Sequence, residues 1–518
     1  MSYGLTFYNT DMDRFSLTLP IANAEPVLPT WEGFTASGAL AAPEPDAPQG
    51  EYGEDGSPRV QLQLAGATDR PAELLAPAGG PDAAFAAFQY GADAIYLGLK
   101  KFSARAEAEN FTLDELAEVV AYAHSLTPRR RVFVTVNTLI RNDELPELVE
   151  TLAALDEIGI DALIIQDLGV YWLARQHFPK LELHASTQLS VHNRAGAEAL
   201  KQLGFQRVVL ARELTFEEVN DITASAGIET EVFIHGALCY SYSGLCLFSS
   251  QTLGRSGNRG KCAYSCRDSF EVVGAPETLR DGRATKRDPA TGFPFSMKDL
   301  ALPDHMPALR SAGVSCFKIE GRKKSPLYVA TTTDFYRKLL DGKLDDESRQ
   351  AHEQELQTVF SRPWTHLFTE SHRDKEVADR DTVGHRGAAV GRVEAVTRDR
   401  RSHRLRFRTA RNLERHDGLQ VDLPVLGKPF GFPIDELWRL HKNRVEPVIT
   451  APAGSLVEVG LPADYPELPI GAVVYCSSSQ EVKRKYRHDR PKPGAHRVRR
   501  TLEVAVHLDE QKAVATGT

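Results

Sequence analysis

Cys239, Cys246, Cys262 and Cys266, four of the six cysteines, fall within 28 consecutive positions. Four soft thiolates suit zinc or an iron–sulfur cluster better than hard cations. Zinc ligands more often come in pairs two to four residues apart. Only Cys262 and Cys266, with three residues between them, are spaced in that way. Gaps of six and fifteen residues let one wide loop wrap a larger object, so spacing leans to a cluster and leaves zinc open. Cys316 and Cys476 stand alone and read as buried structural thiols. So few cysteines in 518 residues are no disulfide framework of the small secreted type.

Between the cysteine pairs runs Gly254-Arg255-Ser256-Gly257-Asn258-Arg259-Gly260-Lys261, and Arg267 follows the last cysteine. Backbone amides and guanidinium groups in such a loop can cradle phosphate. They can equally line the metal site and offset the charge of its thiolates, and the two roles are compatible. The loop lacks the spacing and closing Lys-Ser/Thr of a Walker A motif. His352-Glu353 starts like a zinc-protease motif, but Leu356 stands where the second histidine is needed. No nucleophile elbow and no dinucleotide fingerprint is present, which removes support for common hydrolase and dehydrogenase chemistries.

The elements that must position these groups begin at Glu73. Eight short apolar strands are expected at 74–76, 94–97, 132–136, 162–165, 181–184, 207–210, 229–234 and 316–319, with helices between them. Gly91, Gly159, Gly204 and Gly313 each stand between a helical stretch and a strand, as a left-handed helix stop would. The pattern predicts an α/β fold, a TIM-like (β/α)8 barrel in preference to an open doubly wound sheet. Barrel chemistry gathers at the C-terminal ends of the strands. Those ends carry Asn137, Gln166, Asp167, Ser186, Gln188, Arg212, Glu213, His235, Glu320 and Arg322, a lining suited to a polar, anionic ligand.

The domain reading is an irregular, acidic, Pro/Ala/Gly-rich extension (1–70) and a barrel (71–342) with the cysteine loop at 236–297. A helical linker (343–382), a β-rich C-terminal domain (383–480) and a basic segment (481–518) follow. Residues 483–500 hold nine Lys and Arg against Asp489 alone, either a phosphate grip or a solvated linker. The net charge of −8 gives no global attraction to nucleic acid. No apolar run approaches the ~20 residues of a membrane span, and Met1 to Leu19 lack a basic start followed by a continuous apolar core. A cytoplasmic protein is expected.

The stretch Glu231-Val-Phe-Ile-His-Gly-Ala-Leu-Cys-Tyr-Ser-Tyr-Ser-Gly-Leu-Cys246 resembles the signature of the collagenase-like peptidase family U32. The resemblance extends to Glu73 through Gly79, Gly91 through Tyr96, Phe102 through Arg105, Gly254 through Arg267 and Lys318 through Arg322. A weaker echo appears at His385 through Arg392. Despite the family name, the resemblance implies a cysteine-bound iron–sulfur cluster, [4Fe–4S] in type, and oxygen-independent hydroxylation of RNA or quinones. In the RNA branch it implies prephenate as the hydroxyl donor and a 5-hydroxypyrimidine product. Partners are then RNA, a small anionic co-substrate and, in some members, an accessory subunit.

Ala301 stands where some relatives carry a ligand cysteine after Lys-Asp-Leu, which leaves Cys266 as the fourth ligand. The C-terminal segments 418–423 and 427–432 are more similar to the longer members that act on ribosomal RNA cytidine than to compact transfer RNA members. Under this resemblance Glu213, Glu320 and His235 are candidates for the chemistry. Arg105, Asn137, Gln188, Arg212, Arg255, Arg259, Lys261 and Arg322 are candidate substrate contacts. The rival readings are transfer RNA uridine hydroxylation, a metal-dependent peptidase and a quinone-hydroxylation partner.

Overall fold

The computed structural model describes residues 4–9, 12–18, 72–271, 291–375, 377–399, 402–423, 429–441, 444–492, 504–508 and 513–517. The chain divides into two compact units, 1–63 and 64–518. In the first, Gly4–Asn9 and Met12–Thr18 pair antiparallel, with Leu5 opposite Leu17 and Phe7 opposite Phe15. The expected irregular start is therefore a hairpin over these residues. Apolar alternation in both arms favours it, and it is easily overlooked beside the Pro- and Ala-rich tract that follows. That tract lies outside the described residues.

In the second unit eight parallel strands close into a barrel: β1 (Glu73–Pro77), β2 (Ala94–Gly98), β3 (Arg131–Val136), β4 (Ala162–Ile165), β5 (Leu183–Ala185), β6 (Arg207–Val209), β7 (Glu229–Ala237) and β8 (Cys316–Ile319). Each pairs with the next, and β8 pairs with both β7 and β1, which excludes the open sheet. The helices α1 (Pro81–Gln89), α2 (Leu113–Ser125), α3 (Leu145–Ile158), α4 (Leu168–His177), α5 (Arg194–Gln202) and α6 (Phe216–Ser225) each follow the strand of the same number. Short α7 (Phe248–Leu253) lies in the cysteine loop, α8 (Met306–Ser311) precedes β8 and α9 (Pro326–Leu340) follows it. Thr112 with Glu115 and Thr215 with Glu218 form capping boxes that start α2 and α6. Gly91, Gly159, Gly204 and Gly313 all have φ between 77° and 97°, the left-handed stop that the repeated pattern predicts.

The barrel interior is filled in layers. Its lower end is an ion-pair ring: Arg207 bonds Glu73 and Glu229 at 2.7 Å, and Arg131 bonds Glu73 at 3.1 Å and Glu182 at 2.9 Å. Above it Leu75, Ala94, Phe133, Ala162 and Cys316 form a buried apolar plug. Arg131 and Arg207 both lie over the Phe133 ring. Charges this deep are sustained by pairing on every side.

A three-residue strand, Asp299–Ala301, escapes sequence reading because it is too short for a period. It runs antiparallel to the end of β7 and parallel to Trp364–Thr365. The segment expected as a helical linker is helical only over α10 (Asp346–Val359), and Leu367, Phe368 and Val377 beyond it reach the cavity described below.

The C-terminal region builds one four-stranded and one five-stranded antiparallel sheet around its own core, which includes Phe407, Leu419, Val457 and Val474. Its strands include Ser402–Arg408, Gly418–Val421 and Leu456–Gly460. Helix α11 (Gln480–Lys485) opens the basic segment. There Arg484 pairs with Glu414, Lys485 with Glu355 and Arg490 with Glu118 on α2, so these three cations bind within the chain. Arg497, Arg499 and Arg500 lie outside the described residues. Among the described residues no helix is long and apolar enough to cross a membrane.

Candidate active site and cysteine loop

The C-terminal ends of the strands and the cysteine loop enclose a cavity of about 370 Å³, in the range of small-molecule sites. Period-two alternation along the strands supplies its floor: Tyr96 from β2, Thr135 from β3, Phe233 from β7 and Lys318 from β8. Arg105, Arg212, Lys318 and Arg322 line it against the carboxylates Glu213 and Glu320. This cationic excess suits an anion.

Each charged group is held by a defined partner. Arg322 donates to Ser103 Oγ at 2.7 Å and Thr135 Oγ1 at 2.9 Å. Burial, and then the charge of Arg105, pull its guanidinium down to about 10, which leaves it charged at neutral pH, and an incoming anion would raise it again. Arg105 faces Glu320 at 3.8 Å, and Glu320 accepts the Ala237 amide at 3.2 Å. Arg212 donates to the Ala237 carbonyl at 3.2 Å and lies over the Phe233 ring at 4.1 Å. Asn137 accepts the Ala104 amide and donates to Gln188, while Gln166 donates to the Asn137 carbonyl.

The cysteine loop is pinned over the mouth. Asn258 accepts the Cys246 amide at 2.9 Å and donates to its carbonyl at 3.1 Å. Arg259 makes a bidentate pair with Glu144 at 2.6 and 3.0 Å and caps the Leu139 carbonyl at 2.9 Å. This pairing, chiefly its hydrogen bond, holds the Glu144 carboxyl down at about 2. Arg255 pairs with Glu107, which Lys323 also contacts. Arg267 ties the far end of the loop to Ser296, Met297 and Leu238.

Cys239, Cys246 and Cys262 line the cavity. Burial pushes the Cys266 thiol up to about 11, Arg267 opposes that, and Cys239, Cys262 and Cys246 each raise it further. The other three thiols thus each act on Cys266, and in donor chemistry the four fit a soft metal or an iron–sulfur cluster. Among the described residues no three His, Cys, Asp or Glu side chains are drawn to metal-ligating distance. Ligation would require the loop to close and the thiols to lose their protons.

Of the residues singled out by sequence, the structure brings Arg105, Asn137, Gln188, Arg212, Glu213, Glu320 and Arg322 together at the cavity. His235 is not among the lining residues. Its Nδ1 lies 3.2 Å from the Tyr336 hydroxyl on α9, and its ring packs on Tyr336 and Trp364. The cause is a register shift in the β7–β8 ladder, where Lys318 faces Phe233 but Ile319 faces His235, so counting by twos from Phe233 misplaces it. Arg255 and Arg259 are engaged in holding the loop, and Lys261 is exposed and outside the cavity lining. Sequence reading missed Lys318 and Tyr96 as lining residues. Lys318 stands two positions before Glu320, the spacing that puts both on one face of a strand.

Residues 79–379 match Peptidase family U32. The chain belongs to this family. The matched span contains every residue that lines the cavity, from Tyr96 to Val377. This U32 chain is 37% identical over 361 residues to the 23S rRNA 5-hydroxycytidine C2501 synthase of Escherichia coli, covering 67% of this chain and 52% of that protein. It is 37% identical to the tRNA hydroxylation protein P1 of Bacillus subtilis, covering 52% of this chain and 63% of that protein. It is also 32% identical to a protein named collagenase from Porphyromonas gingivalis, covering 57% and 76%. The chain thus spans about half to under two thirds of the first two relatives.

Proposed function

We propose that this U32 chain is an RNA-modifying enzyme that hydroxylates C5 of a pyrimidine, a cytidine of large-subunit ribosomal RNA. The observation that carries the reading is a cationic cavity roofed by a four-cysteine loop. A small dianionic acid, prephenate, is the proposed hydroxyl donor, and Arg105, Arg212, Lys318 and Arg322 are the groups that would bind it. The thiols of Cys239, Cys246, Cys262 and Cys266 are the proposed ligands of an iron–sulfur cluster, which when bound would supply one-electron transfer beside the cavity. Exposed Tyr240, Tyr242 and Tyr264 around the mouth offer faces for unstacked bases. Exposed Lys261 offers a phosphate contact. The two relatives named for RNA hydroxylation support the same reading.

The test is mass spectrometry of nucleosides from separated ribosomal and transfer RNA, comparing a strain that lacks the gene with its parent. Loss of 5-hydroxycytidine from ribosomal RNA is expected. Loss of a 5-hydroxyuridine derivative from transfer RNA alone would move the substrate to the second relative's class. Unchanged levels in both pools would end the RNA reading.

A further inference from the structure

His192 and Glu213 meet at the rim of the cavity with one atom of each left over. His192 follows β5 and Glu213 follows β6. Imidazole Nε2 lies 3.6 Å from carboxylate Oε2, beyond hydrogen-bond range. Both atoms are buried and neither has a hydrogen-bond partner.

The opposite atoms are fixed. Nδ1 of His192 lies 2.7 Å from the Ser190 carbonyl. A carbonyl only accepts, so the first ring proton resides on Nδ1 and the Nε2 lone pair turns toward Glu213. Oε1 of Glu213 accepts the Ser243 amide at 2.7 Å. Two lone pairs then face each other, an unfavourable arrangement unless one of the two atoms carries a proton.

The Tyr242 ring stacks on the imidazole at 4.9 Å and 7°. Tyr242 and Glu213 line the cavity, and His192 is not among its lining residues. The charged groups nearby are Arg212, which is engaged with Ala237 and Phe233, and Glu218 of α6, which is paired with His372. The Tyr242 phenol is raised by burial and then by Glu213 and Glu218. Neither Arg212 nor Glu218 fills the gap between Nε2 and Oε2.

We infer that His192 carries a second ring proton on Nε2 and faces Glu213 as an ion pair, and that His192 is a positioning residue that keeps the cavity-facing Glu213 carboxylate ionised as a proton acceptor. The use of that proton rests on the proposed function; its presence does not.

The test uses the full chain labelled with carbon-13 at histidine Cε1. The His192 signal is identified by its loss in His192→Gln, and it is titrated by NMR through the neutral range. The midpoint for His192 is expected about one pH unit or more higher in the wild type than in Glu213→Gln, in which the amide oxygen still accepts from Ser243. Equal midpoints would overturn the inference. If Glu213→Gln does not fold, Glu213→Asp reads the same coupling, because a carboxylate withdrawn by one methylene lowers the midpoint. In cells, His192→Gln is expected to reduce 5-hydroxypyrimidine in RNA while leaving the iron content of the protein unchanged. A parent strain with no such nucleoside would fail the proposed function and leave the NMR result standing.

Discussion

Lys318 Nζ donates to Glu231 Oε1 at 2.7 Å and lies 4.3 Å from the centre of the Tyr96 ring. Glu231 is fully buried, and its other oxygen is 3.6 Å from Arg207. The pair therefore links the ion ring at the lower end of the barrel to the floor of the cavity. Glu231→Gln removes the anion between two buried cations and is expected to cost about 3–5 kcal/mol of stability. Urea unfolding measures it. A double variant, Glu231→Leu with Lys318→Met, is expected to recover most of that loss, since Arg207 keeps Glu73 and Glu229.

Acid should weaken the fold through His235. Burial, with Lys324 adding to it, pulls its imidazole down to about 4, whereas in the unfolded chain it titrates near ~6.5. Between these values the unfolded chain binds a proton that the folded chain refuses. Stability is therefore flat above about pH 6.5 and falls as pH drops toward 4, by on the order of 2 kcal/mol at pH 5. His235→Phe is expected to remove this part of the pH dependence, read as the difference in urea midpoint between neutral and acid buffers.

Arg259 is expected to act on the cysteine loop and not on phosphate. Arg259→Ala breaks the pair with Glu144 and uncaps Leu139. Hydrogen exchange should speed up across residues 254–262 while the barrel strands keep their protection. Uniform exchange in wild type and variant would show that the pair holds nothing in place.

Alanine at Cys239, Cys246, Cys262 or Cys266 is expected to reduce iron and acid-labile sulfide in anaerobically purified protein to background. Alanine at Cys316, inside the barrel, or at Cys476, inside the β-rich core, should leave both unchanged. Stoichiometric zinc without sulfide in the wild type would replace the cluster with a zinc site.

All eight barrel strands were legible because each couples a glycine stop or a polar turn to a short apolar run. The largest slips were β5, expected at 181–184 and found at Leu183–Ala185, and the end of β7, expected at 234 and found at Ala237. Seven of the ten polar residues at strand ends line the cavity, as the logic of the barrel predicts, whereas Gln166 bonds the Asn137 carbonyl and Asp167 caps α4. The place of His235 was not legible, since a register shift in one ladder leaves no mark in the sequence. Nor could spacing show that Arg255 and Arg259 already have carboxylate partners, because Glu107 and Glu144 are more than 100 residues away in sequence.

The ring of Glu73, Arg131, Glu182, Arg207 and Glu229, with the apolar plug above it, shuts the barrel at one end. Among the described residues, entry and exit are then left to the end under the cysteine loop. A polymer laid across that opening would imprison whatever small molecule is already inside and bar any that is not. Under the proposed function, that would set an order of arrival: the small acid first, the RNA second, and departure in reverse.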